Sequence, residues 1–357
     1  KNLALLGKDV SFAFLGMRAG YDINQRLIPY TNDSTHAMAA FVGILNTLLC
    51  AFVGCIIATI VGVFVGILRL SKNWIIAKLM SVYIEGFRNV PVLLWIVMVF
   101  ALLTEFTPAP KAFKGANPEA TMFLFDSIAI TNRGTYLPAP VWGQGSTFLI
   151  IIFLISALAV IFFRRYAIEL KKNTGKSLPS FWISIGILIV PSVLFYFILG
   201  KPVELNYPYL KGFNFKDGIH LRNSFIALTL ALAFYTSAFI AEVVRSGILA
   251  ISKGQTEAAA SLGMKPNKIM SLIILPQALR VIVPPLISNY LNLTKNSSLA
   301  IAVGYMDVRG TLGGITLNQT GRELESMLLL MGFYLSVSLF ISSIINWYNR
   351  SFQIVVR

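Results

Sequence analysis

The sequence predicts an all-α polytopic membrane protein, from its apolar composition and from the length of its nearly uncharged stretches. Of the 357 residues, 56% are hydrophobic and 13% are charged, whereas soluble domains contain about 45–50% apolar and 25% charged residues. A helix needs about 20 apolar residues to cross a bilayer. We therefore predict seven spans, at 37–68, 89–104, 148–163, 181–199, 223–241, 269–306 and 326–349.

Charged residues set the limits of these stretches. The first lies between His36 and Arg69, with residues to spare for one span. The second lies between Arg88 and Glu105 and is short, so we expect apolar residues before Arg88 to lengthen it. The sixth stretch is interrupted by charges and is treated below. Because the chain begins with lysine instead of methionine, we expect it to be trimmed upstream.

The placement of lysine and arginine predicts the orientation. One set of connections is about twice as rich in these residues as the alternate set, and the positive-inside rule places the richer set in the cytoplasm. This set consists of 69–88, 164–176, 245–280 and the C-terminal tail. The segments 1–36, 104–146, 200–222 and 307–325 then lie outside. Topology thus accounts for most of the net charge of +15. A nucleic acid partner is not expected, since no basic amphipathic helix with interleaved aromatic residues is present.

The sequence carries no recognisable enzyme or metal site. Its two histidines, His36 and His220, lie far apart and lack cysteine or carboxylate partners at metal-ligand spacing. Cys50 and Cys55 share one apolar stretch and are interpreted as small apolar side chains. We therefore expect no catalytic residue, cofactor or metal in this chain.

The most informative motif follows the fifth predicted span. The alanine-rich residues 256–262 favour a short helix, Gly263 can end it in a left-handed conformation, and Pro266 suits the first turn of a second helix. Such a pair of helices can lie at the membrane surface and present a carboxylate and an alanine face to a cytoplasmic partner. The alternative is a solvated alanine-rich loop. The motif residues are Glu257, Ala258, Ala259, Gly263, Ile273, Leu275 and Pro276.

This spacing resembles the EAA loop of ABC importer membrane subunits, and its surroundings resemble the polar amino acid permeases of that class. The long insertion at 104–220, together with Asn296 where most of the family carries an acid, is similar to the general L-amino acid permease subgroup. The matching stretches are Tyr-Ile-Glu-Gly-Phe-Arg-Asn-Val-Pro at 83–91, Ala-Glu-Val-Val-Arg at 241–245, Pro-Gln-Ala-Leu-Arg at 276–280 and Thr-Lys-Asn-Ser-Ser-Leu at 294–299.

The resemblance implies a type I ABC importer permease fold, with a five-helix core and about two or more extra transmembrane helices. It also implies an organisation in successive segments. These are a periplasmic N-terminal segment (1–36), two core helices (37–104), a periplasmic loop (105–146), an inserted helix pair (147–200), a second periplasmic loop (201–221), the remaining core helices with a coupling loop at about 254–276 (222–350), and a cytoplasmic tail (351–357).

The implied function is that of a permease subunit in an ATP-driven, binding-protein-dependent importer of L-amino acids, of broad or polar specificity, in a bacterial inner membrane. The implied partners are membrane lipid, a homologous second permease subunit, a periplasmic amino-acid-binding protein and a cytoplasmic ATPase dimer. ATP and Mg are expected on that ATPase, and the motif residues are expected to couple to it. The alternative, an ion-gradient-driven secondary transporter or channel, predicts inverted repeats and acids within spans.

A possible substrate pathway lies in the sixth predicted span, at Lys295, Asn296, Ser297 and Ser298. From Arg280 to Lys295 is about 22 Å of helix, which places the lysine inside a bilayer about 30 Å thick. Asparagine and serine favour the start of a new helix, whose positive end beside an ammonium suits an α-carboxylate. Alternatively, the lysine extends to the membrane surface or pairs with an acid of the partner subunit.

Overall fold

A computed structural model describes residues 10–115, 117–175 and 178–352. Parts of the predicted terminal segments, residues 1–9 and 353–357, lie outside the described residues. The predicted helical class is confirmed. The helices are α1 (His36–Arg69), α2 (Trp74–Asn89), α3 (Val92–Glu105), α4 (Ser146–Thr174), α5 (Ser180–Ile198), α6 (Asn223–Leu249), α7 (Lys253–Ser261), α8 (Pro266–Ile269), α9 (Leu275–Asn296), α10 (Val308–Gly310), α11 (Leu317–Thr320) and α12 (Glu323–Phe352).

Six helical segments of the described chain are long and apolar enough to cross a membrane. The pair α2 and α3 adds a seventh if the two are counted as one span. The sixth predicted stretch forms a continuous run from Pro266 to Val303, in which α8 passes through a π-helical segment (Met270–Ile274) into α9 and then into a 3-10 segment (Ser297–Val303). The helices therefore coincide with the apolar stretches of the sequence.

The junction of α2 and α3 differs from the expected straight extension. The two helices are bent by 106° relative to each other. Val90 between them is extended, with φ −106° and ψ 133°, because the ring of Pro91 disfavours a helical conformation in the residue before it. The apolar residues before Arg88 therefore lie on a separate helix, and they extend the second span only as one arm of a bent pair.

The chain divides into two compact units, and the first consists of the chain up to Thr107 and from Leu221 onward. Its core forms where α1 packs along α6. A Cβ atom at Gly62 of α1 would lie 2.7 Å from the Cβ of Ile240 in α6, so this close approach of the two helices requires glycine. The largest buried core side chains include Leu228, Leu232, Ile240, Leu293 and Tyr305.

The segment after the 3-10 turn packs into the first unit, although the sequence predicted an outer loop from residue 307. The backbone amide of Val308 donates to Thr47 Oγ1 (3.1 Å), and the Tyr305 hydroxyl donates to the carbonyl of Asn46 (3.0 Å). Asp307 is fully buried and accepts a hydrogen bond from the amide of Gly310 (2.8 Å). Burial raises the pKa of this carboxyl group to about 6.

The second unit, Pro108–His220, contains the antiparallel helices α4 and α5 and several short strands. The sequence predicted periplasmic loops at 105–146 and 201–221, where these strands form. Phe113 and Phe215 meet edge to face with ring centroids 5.3 Å apart, and Tyr136 packs on Phe215. The strands are β1 (Ala129–Thr131), β2 (Gly134–Leu137), β3 (Ala139–Trp142), β4 (Val203–Asn206), β5 (Tyr209–Lys211), β6 (Asn214–Lys216) and β7 (Ile219–Leu221), arranged in sheets β1-β2-β7, β3-β4 and β5-β6.

Candidate coupling surface and translocation cavity

The predicted short helix of the motif is α7, and it ends as the sequence indicated. Gly263 has φ +74°. Its amide donates to the carbonyl of Ala260 (2.9 Å), and the amide of Met264 donates to the carbonyl of Ala259 (3.3 Å). This pair of bonds is a Schellman motif, which requires a left-handed residue just past the helix end. Pro266 then occupies the first turn of α8, where its missing N–H costs no helical hydrogen bond.

The helix α7 is attached to the following run by a small apolar cluster. Ala259 is buried against Ile269 and Ile274, with Ile273 and Met264 at its edge. These contacts fix the orientation of α7, because they involve a single face of a short helix. The helix α7 is therefore packed against the run that becomes α9.

The opposite side of α7 is exposed. The motif residues Glu257 and Ala258 on α7 and Gly263 just past its end are exposed, and so are Leu275 and Pro276 at the start of α9. Sequence reasoning missed Leu262, whose side chain is 81% exposed beside Gly263. A large apolar residue within an otherwise polar, predicted cytoplasmic stretch is the sequence signal that could have identified it. These six exposed residues are together called the coupling surface below.

An ion-pair cluster joins the end of α1 to α6. Glu242 accepts from Arg245 (2.6 Å), one turn further along α6, and from Arg69 at the end of α1. The guanidinium of Arg88 lies 5.4 Å from the ring centroid of Phe239. Because the Glu242 carboxylate forms ion pairs with two arginines, we interpret it as a structural link between the helices. It is therefore not assigned to substrate binding.

A polar cavity of about 270 Å³ lies between α6 and α9. Among the described residues that line it, Lys295 is the only charged one. Amide and hydroxyl side chains line the cavity together with this lysine, so the cavity can bind a carboxylate and donate or accept further hydrogen bonds. The lining residues are Tyr235, Thr236, Phe239, Asn289, Asn292, Lys295 and Asn296.

The structure brings only part of the predicted substrate pathway to this cavity. Lys295 and Asn296 line it, whereas Ser297 is buried and its hydroxyl donates to the carbonyl of Thr294 (2.7 Å). The carbonyl of Ser298 accepts from Arg309 (3.3 Å). The expected new helix start is wrong, because α9 continues directly into a 3-10 segment without a side-chain cap.

Sequence reasoning missed the other cavity residues. Asn289 and Asn292 are among them, although with the predicted Asn296 they are spaced i, i+3 and i+7 and so share one face of α9. This spacing could have been found in the sequence. The side-chain amide of Asn289 donates to the carbonyl of Pro285 one turn earlier (3.0 Å), which fixes the orientation of the side chain.

Comparison with known proteins assigns this architecture to a family. The model of the binding-protein-dependent transport system inner membrane component matches residues 172–353. The chain belongs to this family, and it is therefore a multi-pass inner membrane protein of the permease class.

Full-length relatives place the chain among the amino acid ABC permeases. It is 52% identical to the glutamate/glutamine/aspartate/asparagine transport system permease protein BztB of Rhodobacter capsulatus, over 100% of this chain and 88% of that protein. It is 42% identical to the general L-amino acid transport system permease protein AapQ of Rhizobium johnstonii, over 100% and 87% of the two chains.

A solved structure supports the fold. The crystal structure of an amino acid ABC transporter with histidines aligns with a TM-score of 0.51 and 20% identity, covering 88% of this chain and 95% of that chain. At this identity the similarity concerns the fold alone, and the expected ABC importer permease fold is confirmed.

Proposed function

We propose that this chain forms part of the translocation pathway for L-amino acids and pairs with a homologous second permease subunit. The observation that carries the proposal is the cavity between α6 and α9, which a lysine and three asparagines of α9 line inside the apolar run of the sequence. An ammonium binds the α-carboxylate that all amino acids share, and amides tolerate many side chains. Broad or polar specificity follows if the lysine binds the shared α-carboxylate and the asparagines contact the variable side chains.

The names of the relatives indicate the substrate range. One relative is named for glutamate, glutamine, aspartate and asparagine, and the other for general L-amino acids. We propose that these four amino acids are among the substrates of this chain, and that a periplasmic amino-acid-binding protein delivers them.

The exposed coupling surface is consistent with an ATPase on a separate subunit. We propose that a cytoplasmic ATPase dimer, which holds ATP and Mg, binds Glu257, Leu262 and Gly263 and moves α7 when it closes. The cluster around Ala259 transmits the movement to α9, whose residues line the cavity. ATP binding would then shift the population between inward-open and outward-open packings.

Transport by the reconstituted complex tests this function. With the second permease subunit, the ATPase and the binding protein in vesicles, we expect uptake of labelled glutamate, glutamine, aspartate and asparagine that requires both ATP and the binding protein. The control omits ATP and imposes a sodium or proton gradient. Uptake driven by the gradient alone would support a secondary transporter and contradict the proposal.

The proposed orientation makes a second testable prediction. Cysteines introduced by Ser127→Cys and Thr174→Cys should react with a membrane-impermeant reagent from opposite sides, because residues 105–146 are proposed as periplasmic and residues 164–176 as cytoplasmic. The background replaces Cys50 and Cys55 with alanine, since both are free thiols. Labelling of spheroplasts and of inverted vesicles measures the side. Reaction of both cysteines from one side would contradict the orientation.

A further inference from the structure

A basic cavity lies between α4 and α5 in the second unit, where α4 leaves its apolar stretch. The cavity has a volume of about 340 Å³. Its wall on α4 consists of residues spaced i, i+3, i+4 and i+7, which form one face of a helix. Glu169 lies on another face of α4. The lining residues are Arg164, Ala167, Ile168, Lys171, Leu178 and Ser180.

The two cations of this cavity are free to bind an anion. Within the described part of the chain, neither Arg164 nor Lys171 forms an ion pair. Nε of Arg164 donates to the hydroxyl of Ser184 (3.4 Å), and that hydroxyl donates to the carbonyl of Ser180 (2.6 Å). The guanidinium is thereby oriented, and among the described residues its terminal nitrogens have no hydrogen-bond partner.

The surroundings match the boundary between hydrocarbon and headgroups. Tyr166 on α4 and Trp182 on α5 are both exposed, as expected of aromatic side chains at a membrane interface. The remaining cavity walls, Ile168 and Leu178, are apolar and partly exposed. A ligand that fits this cavity therefore combines a negative headgroup with an apolar portion.

We propose that the cavity binds the phosphate headgroup of an anionic phospholipid from the leaflet in which α4 ends. Arg164 and Lys171 bind the phosphate oxygens, and the apolar walls contact the first carbons of the lipid chains. Basic cavities between transmembrane helices commonly hold anionic headgroups. A free phosphate ion lacks the apolar portion and would leave these walls without contacts. The inference does not depend on which amino acids are transported.

Lipid titration followed by native mass spectrometry tests the site. The purified permease complex in neutral detergent is titrated with phosphatidylglycerol, and the double variant Arg164→Gln/Lys171→Gln is expected to bind it at least about 10-fold more weakly. The matched control, Arg165→Gln/Lys172→Gln, removes the same charge at the same spacing from residues outside the cavity. It is expected to bind within about twofold of the unmodified chain.

Several outcomes would overturn the proposal. If lipid binding were weakened equally in both double variants, the lipid would be attracted by diffuse charge and not by this cavity. If binding were unchanged in Arg164→Gln/Lys171→Gln, the cavity would not be the lipid site. Displacement of phosphatidylglycerol by an equal concentration of inorganic phosphate would show that the apolar walls contribute nothing to binding and would contradict a lipid ligand, and equal binding of phosphatidylcholine would exclude a requirement for net negative charge. The variant Ala167→Leu keeps both cations and narrows the cavity, so it should also weaken binding. Undiminished binding by that variant would place the lipid elsewhere.

Discussion

Replacing Gly263 with leucine is expected to reduce binding-protein-stimulated ATP hydrolysis and amino acid uptake at least about tenfold, because two costs act at one position. A non-glycine residue at φ +74° costs about 1–2 kcal/mol in backbone strain, which loosens the end of α7. The leucine side chain also enters open space, since no atom lies within 4 Å of a Cβ at this position. Under the proposed coupling, the ATPase occupies that space.

Two variants separate strain from obstruction. Gly263→Ala keeps the strain and adds little bulk, so it should have an intermediate effect. Gly175→Leu places the same side chain at a glycine with φ +71° and equally open surroundings in the second unit, and it should leave coupling intact. The ATPase rate is measured in vesicles with saturating binding protein, and the amount of assembled complex is measured by copurification. A normal stimulated rate in Gly263→Leu, with normal assembly, would remove this residue from the coupling surface.

The sequence was sufficient for features that depend on local information. A span needs only a long apolar stretch, and the end of α7 needs only a residue that accepts a left-handed backbone beside alanines that favour helix. The positions of α1 and Gly263 were predictable for these reasons. The bend before α3 was also encoded locally, in Val90-Pro91. The prediction instead joined the residues on both sides of this proline, because the apolar stretch after it is too short for one span.

Features that join distant parts of the chain were not predictable. The strand β3 pairs with β4 from the other loop, with Ala139 opposite Asn206. Each strand is only three or four residues long, too short for an alternating pattern to stand out from a turn-rich background. Tertiary pairing determines these strands.

The sequence was sufficient to predict residues of the α9 wall of the cavity, but not its α6 wall. Lys295 and Asn296 attracted attention as polar residues in an apolar stretch, but the wall formed by Tyr235 and Phe239 belongs to α6 and depends on how the helices pack. Ser297 was misjudged because serine near a helix end can either cap the next helix or bond back to its own turn. The structure shows the second choice, in which the hydroxyl bonds the carbonyl of Thr294.

The variant Lys295→Met is expected to reduce uptake of glutamate, glutamine, aspartate and asparagine alike, by about 10- to 100-fold. A hydrogen bond to a charged group contributes about 1.5–3 kcal/mol, and methionine preserves the length of the side chain while it removes the ammonium. The loss is shared by all four substrates because the α-carboxylate is common to them. Initial uptake rates in reconstituted vesicles measure the effect, with Lys78→Met on exposed α2 as a control for the loss of one positive charge.

The pattern across substrates distinguishes the roles open to Lys295. If the lysine pairs with an acid of the second permease subunit, its removal leaves that acid unpaired and should reduce copurification of the two subunits. If it extends to the membrane surface, uptake should be unchanged. Loss confined to glutamate and aspartate would assign the ammonium to side-chain carboxylates and contradict an α-carboxylate contact. A uniform loss with intact assembly, accompanied by a smaller loss in Asn292→Leu, is the result that a substrate cavity between α6 and α9 requires.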